Sequence, residues 1–131
     1  MNTFQNVLHR CCLEVDSELD RSLSYTEANY QNALLHLLRA ALPAKSTLCK
    51  EVPLTYRLSD GFVFGSGRID ILYETEDTVF ILELKSNVDC KWLKKFTGQT
   101  MRYVHHYPTT KQKIGIVIIF GTCSPIIKVL P

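Results

Sequence analysis

The change of hydrophobic period at Pro43 constrains this chain more than any other feature. Before it, Phe4, Val7, Leu8, Cys11, Val15 and Leu19 recur at helical spacing, so residues 2–20 read as an amphipathic helix. A second helix is expected from about Tyr25 to Leu42, ended by Pro43. After Pro43 the period falls to two. Val52, Leu54 and Tyr56 alternate with Pro53, Thr55 and Arg57, the pattern of a half-buried strand, and Pro53 assigns it to a sheet edge. Ser59-Asp60-Gly61 is a turn signal. Residues 68–73 and 79–85 form two more strands, joined as a hairpin by Glu74-Thr75-Glu76-Asp77-Thr78. Residues 90–107 fit a third helix stopped by Pro108, residues 114–120 a buried strand, 121–125 a turn and 126–130 a short last strand. Hairpin-linked strands run antiparallel, whereas the helix before the fourth strand implies a crossover. The fold class is therefore α/β, a mixed β-sheet flanked by helices.

With 131 residues and no repeat or internal boundary, the chain reads as a single domain over 1–131. The formal net charge is +2, so attraction to nucleic acid must come from a local patch rather than a global field. No apolar run approaches a membrane span, which excludes a membrane partner of that kind. The five cysteines form no CxxC pair and no signal pattern precedes them, so free thiols and an intracellular setting, cytoplasmic or nuclear, are expected. The spacing of His105, His106 and the cysteines matches no common zinc motif.

The chemistry concentrates in Val79-Phe80-Ile81-Leu82-Glu83-Leu84-Lys85. On a strand, Ile81, Glu83 and Lys85 share one face, so a carboxylate and an ammonium interrupt an apolar surface. Burying either charge without a partner is costly. A hairpin centred between Glu76 and Asp77 places Asp70 opposite Glu83, with Cβ atoms about 5 Å apart. Two carboxylates that close need a proton or a cation between them. A hard cation with oxygen ligands, Mg²⁺ or alternatively Mn²⁺, satisfies this, with Asp70 and Glu83 as its protein ligands. Lys85 would then orient a water or stabilise charge on a phosphate. The competing reading is a same-face ion pair of Glu83 and Lys85 on a solvated sheet.

Three further groups join this set. Glu27 stands on the stripe of Tyr30, Leu34 and Leu38, and so is expected to point toward the sheet; equally, Ser24 and Glu27 form a capping box. Gln99 is the polar member of the stripe Trp92, Phe96, Gln99 and Tyr103 on the third helix. Its amide could serve the site or simply satisfy backbone. Lys91, Lys94, Lys95 and Arg102 form a basic edge that could meet phosphates, or an ordinary solvated face.

Gly65-Ser66-Gly67-Arg68-Ile69-Asp70-Ile71-Leu72 and Phe80-Ile81-Leu82-Glu83-Leu84-Lys85 resemble the active-site hairpin of the PD-(D/E)XK nuclease superfamily, and more narrowly the small GxxExxY proteins. Glu27 and Tyr30 match the name motif, with Ser24 in place of its glycine. The resemblance runs from about residue 8 to 121. It implies a restriction-endonuclease-like fold, Asp70 and Glu83 as metal ligands, Lys85 as the catalytic lysine, Glu27 as the helix acid, and Gln99 and Tyr103 as a Q-x-x-x-Y pattern beside the site. It implies the fold more firmly than turnover.

Two functions follow as expectations. The first is an Mg²⁺-dependent nuclease acting on nucleic acid, DNA before RNA. A duplex cutter this small would work best as a twofold homodimer. The second is a non-catalytic module on the same fold that binds nucleic acid or protein. The joint presence of Asp70, Glu83 and Lys85 favours the first, the near-neutral charge the second.

Overall fold

The computed structural model describes residues 3–20, 22–121 and 124–131, the side chain of Cys90 excepted. Helices α1 (Thr3–Glu18) and α2 (Glu27–Ala41) lead into strands β1 (Thr47–Arg57), β2 (Val63–Glu74) and β3 (Thr78–Ser86). A 3₁₀ turn at Cys90–Trp92 opens helix α3 (Leu93–His106), followed by β4 (Gln112–Phe120) and β5 (Ile126–Val129). The five strands lie in sequence order; β1, β2 and β3 are antiparallel neighbours, β3 and β4 run parallel, and β5 returns antiparallel. The expected mixed sheet is thus present, with the crossover through α3 where the helix was read. Part of the turn expected at 121–125, Thr122 and Cys123, lies outside the described residues.

The helical stripes decide the layers. Phe4, Leu8, Cys11, Cys12 and Val15 of α1 and Tyr30, Leu34, Leu35 and Leu38 of α2 bury against Phe80, Leu82 and Leu84 of β3 and Ile116, Ile118 and Phe120 of β4. Cys11, Cys12 and Cys49 are free thiols, and the first two are core fillers. The opposite face is covered by α3. Tyr103 packs with Leu54, Tyr56, Leu72 and Ile81, while Phe96 packs with Val117 and Ile119. Gly115 permits this approach: a Cβ there would stand 2.9 Å from Val104 Cγ2 and 3.1 Å from Thr100 Cγ2. Among the described residues, no helix is long and apolar enough to cross a membrane.

Besides a register shift between Tyr56 and Arg57 in β1, the sheet is irregular around Asp70. Ile71 pairs with Leu82, but the β2–β3 ladder ends there, just short of Asp70 and Glu83. On the other side of β2, Lys50 pairs with Ile71 and Val52 with Ile69, and between them Glu51 takes a left-handed φ of 53°. Ile71 is buried against α1 and α2, and Ile69, two residues away, in the cluster under α3. The strand therefore turns over at Asp70, as an irregularity in a ladder allows.

Candidate active site

Where β2 parts from β3, the freed backbone groups are taken by side chains. The Leu84 N–H donates to Asp70 Oδ2 at 2.7 Å, replacing a ladder bond with a charge-assisted one. The Asp70 carbonyl accepts Gln31 Nε2 at 2.7 Å, from a buried residue of α2. Asp70 is thereby held at both its carboxylate and its carbonyl. The register expected from the turn is the one found over the paired residues, Glu74 to Val79 through Ile71 to Leu82. The paired continuation to Asp70 and Glu83 does not form, because Asp70 itself caps the opening.

Glu83 is 3 % exposed, and its Oε2 is buried with no hydrogen-bond partner. Burial, a hydrogen bond with Asp70 and that neighbour's negative charge push its carboxyl up to about 9, against which the nearby Lys85 ammonium acts too weakly. Burial and the neighbouring carboxylate thus favour the neutral form of Glu83. The Lys85 Nζ lies 3.6 Å from Glu83 Oε1 and 5.2 Å from the centre of the Phe96 ring. A full-strength ion pair with Glu83 would require the carboxylate to ionise. The same-face contact of the ion-pair reading is present at 3.6 Å, while burial and Asp70 oppose the ionised form of Glu83.

An ion fits here by the chemistry of the donors. Two hard carboxyl oxygens converge, and one of them is buried and orphaned, which is costly unless a cation or donor reaches it. Among the described residues no group of three or more His, Cys, Asp and Glu side chains is placed to hold a metal. The protein's share of the shell would be Asp70 and Glu83, with waters and substrate oxygens completing it, as is usual for Mg²⁺.

Glu27 is placed differently from the expectation. Helix α2 begins at Glu27, and its N-cap is Thr26, whose hydroxyl accepts the Asn29 N–H at 3.2 Å while Asn29 Oδ1 accepts the Thr26 N–H at 2.9 Å. The capping box is thus Thr26 and Asn29, not Ser24 and Glu27. Glu27 is exposed in the first helical position rather than turned onto the sheet, where its charge suits the helix dipole. It still stands near enough to disfavour ionisation of Glu83. Asn87 contributes to this placement: its Nδ2 donates to the Tyr25 carbonyl at 3.0 Å, tying the approach to α2 to the end of β3.

On the other side, Gln99 Nε2 donates to the Tyr103 hydroxyl at 3.0 Å. Burial, then the charge of Glu83, raises the Tyr103 phenol, with Asp70 a smaller contributor, so this pair borders the carboxylates. Trp92 does not continue the stripe of Phe96 and Tyr103. It is 47 % exposed, because it lies in a 3₁₀ turn, where the angular step differs from that of an α-helix. Lys91 and Lys95 instead flank its ring at 5.8 and 5.7 Å. Lys94 and Arg102 are also exposed, and Arg102 lies far along α3, next to His106 rather than to the lysines.

Gln31 is the residue that the sequence reading missed. Its signal was the one that marked Gln99, a polar side chain on an apolar stripe, here among Tyr30, Leu34 and Leu35. Replacing it by Leu should leave the Asp70 carbonyl unsatisfied, at a cost of about 1–2 kcal/mol in urea unfolding. It should also slow any metal-dependent turnover about tenfold, the scale found when support behind a metal ligand is removed. Unaltered stability and turnover would show that Asp70 is positioned without it.

A comparison of the sequence with curated proteins gives no match. The family model of the PD-(D/E)XK nuclease superfamily matches residues 2–129, nearly the whole chain. With the mixed sheet, the opened hairpin and the paired carboxyls beside a lysine all in place, the chain belongs to the PD-(D/E)XK nuclease superfamily.

Proposed function

We propose that this protein is a divalent-metal-dependent nuclease that hydrolyses phosphodiester bonds in DNA, with Mg²⁺ as its ion and Mn²⁺ as an effective substitute. The observation that carries this reading is the orphaned, buried Glu83 Oε2 beside Asp70, with the Lys85 ammonium at 3.6 Å from the other oxygen. A bound ion would polarise the phosphate and lower the pKa of a water. Asp70 and Glu83 would hold it, the latter releasing its proton on doing so. Lys85 orients the attacking water and offsets charge growing on the phosphate. Gln99 acts by fixing the Tyr103 hydroxyl, and Glu27 borders the opening from the helix side. Lys91, Lys94, Lys95 and Arg102 meet backbone phosphates along α3. One site cuts one strand, so cutting both strands of a duplex calls for a pair of copies. The alternative, a non-catalytic binding module, draws support from the near-neutral charge and from the acid set, since among the described residues no group of three or more His, Cys, Asp and Glu is placed to hold a metal.

The deciding experiment incubates the protein with single-stranded, duplex and branched DNA and RNA in Mg²⁺, Mn²⁺ or EDTA. An Asp70→Ala control excludes a contaminating nuclease. Cleavage that needs the ion and Asp70 is the expected result. Equal residual cleavage by wild type and the variant would leave the binding module as the better reading.

A further inference from the structure

The hairpin between β1 and β2 reaches past the rest of the sheet and carries apolar side chains into solvent. Leu58, Phe62, Val63 and Phe64 are all exposed, Phe64 by 54 %. Such a patch normally marks a contact surface. Here it is joined to the carboxylates by a line of rings. Phe64 meets His106 at 5.6 Å and Tyr56 at 6.1 Å between ring centres, and His106 and Tyr56 lie 4.7 Å apart. Tyr56 in turn lies against Gly67, where an added Cβ would collide with its hydroxyl and stand 2.7 Å from Tyr103 Cε1. The backbone of β2 is bare at this point so that the two tyrosines can close over it. Tyr103 leads on to Glu83 and Asp70.

The electrostatic setting selects the occupant. Arg102 and Lys113, both cationic, and the ring of His105 lie near enough to act on His106. Desolvation, then these neighbours, lower its pKa, which favours the neutral ring. Thr55, Arg57, His105, His106 and Pro108 line a shallow pocket beside it. The single carboxylate of the hairpin loop, Asp60, is engaged by the Phe62 N–H at 2.9 Å. A flat aromatic surface rimmed by cations suits a chain of flat bases linked by phosphates. A second copy of this protein would bring the same cations against each other.

We propose that Phe64 and His106, backed by the buried ring of Tyr56, form a stacking platform for unpaired bases, which makes the preferred substrate a single strand or a duplex with an unpaired stretch beside the cut. The proposal rests on the reading of Asp70, Glu83 and Lys85 as a phosphodiester-cleaving site, since the line of rings leads there. Bases in an intact duplex have their faces covered and have nothing to offer Phe64. Stacking on one side chain tolerates any base, so the preference is for structure and not for sequence.

The test is binding in EDTA, where no cleavage interferes. Fluorescence anisotropy is measured for a labelled single-stranded 12-mer and for the same oligonucleotide as a duplex. A second 12-mer carries 2-aminopurine, whose emission reports stacking. Wild type should prefer the single strand by roughly tenfold and change the 2-aminopurine emission. Phe64→Leu keeps apolar bulk but no ring, and should weaken single-strand binding about tenfold while leaving duplex binding and Tm unchanged. Phe64→Tyr should bind like wild type. Equal binding by wild type and Phe64→Leu would overturn the proposal, as would a duplex preference. A change from dimer to monomer in Phe64→Leu, with nucleic-acid binding intact, would overturn it in favour of self-association. Phe64-dependent binding without cleavage of any substrate would leave the platform standing and remove the catalytic reading instead.

Discussion

Replacing Glu83 by Gln is expected to abolish metal-dependent cleavage and, in the absence of metal, to make the protein more stable. The two effects have one origin. Glu83 is buried with an unpartnered oxygen, and its carboxyl is held up near 9. The unfolded chain releases this proton near the ordinary value of 4.5, while the folded chain keeps it to about 9. The native state therefore binds more protons across that window. The stability of the metal-free wild type should fall as pH rises through it. Gln is neutral at every pH and has nearly the same shape, so the fall should be absent from the variant. By pH 8 the variant should lead by about 1–3 kcal/mol, the scale of an unsatisfied buried polar group. Mg²⁺ or Mn²⁺ should raise the Tm of wild type by binding the native state alone, and should do little for Glu83→Gln. Cleavage should drop by about a thousandfold or more, at or beyond the usual effect of removing one electrostatic element from a phosphoryl or acyl site. Thermal unfolding at pH 5, 7 and 8, with and without metal, measures the first part; single-turnover cleavage measures the second. A Glu83→Gln protein that is less stable at pH 8 without metal would mean that Glu83 serves the fold as an ionised partner of Lys85.

Lys85→Met should leave a folded protein that still responds to metal but cleaves about a hundredfold more slowly, or worse. Lys85 lies at the end of β3 with its side chain 21 % exposed, so its ammonium is not sealed in the core. Met keeps the unbranched stem and its packing against Phe96, and the charge that is lost was partly solvated. The stability change should accordingly stay within about 1 kcal/mol. The thermal shift on adding Mg²⁺ should persist, because Asp70 and Glu83 are untouched. Lys85→Arg should recover only part of the rate, since the guanidinium fork is wider and does not readily lose a proton. Undiminished single-turnover cleavage by a folded Lys85→Met protein would remove the lysine from the chemistry.

The residues of this chain spell out much of its fold locally. A hairpin centred between Glu76 and Asp77, in the polar turn that joins β2 and β3, was enough to set the register that pairs Ile71 with Leu82. A shift by one residue would have moved Glu83 from the face of Ile81 to that of Phe80 and Leu82, the core under α1 and α2. The stripes of α1 and α2 likewise named Leu8, Cys11, Val15, Leu34 and Leu38 as core, because a period of 3.6 is a statement about one helix alone. Asp70, Glu83 and Lys85 were legible as a group for the same reason: a strand's period and one turn place them together.

What only the tertiary structure decided concerns competition between partners distant in sequence. The opening of the ladder at Asp70 depends on Gln31, 39 residues away, and on the left-handed backbone of Glu51 across the neighbouring strand. Neither is implied by the alternation of β2, which read alone continues straight through Asp70. The start of α2 was a contest between two capping boxes two residues apart, won by Thr26 and Asn29, which left Glu27 exposed at the rim. The ring line from Phe64 through Tyr56 to Tyr103 joins two strands and a helix, and the two glycines of β2 that admit Tyr56 acquire their meaning only when α3 lies across the sheet. Periodicity reports which face of an element is buried. Which side chain takes a given hydrogen bond or fills a given gap is settled when the elements meet, because that energy exists only between them.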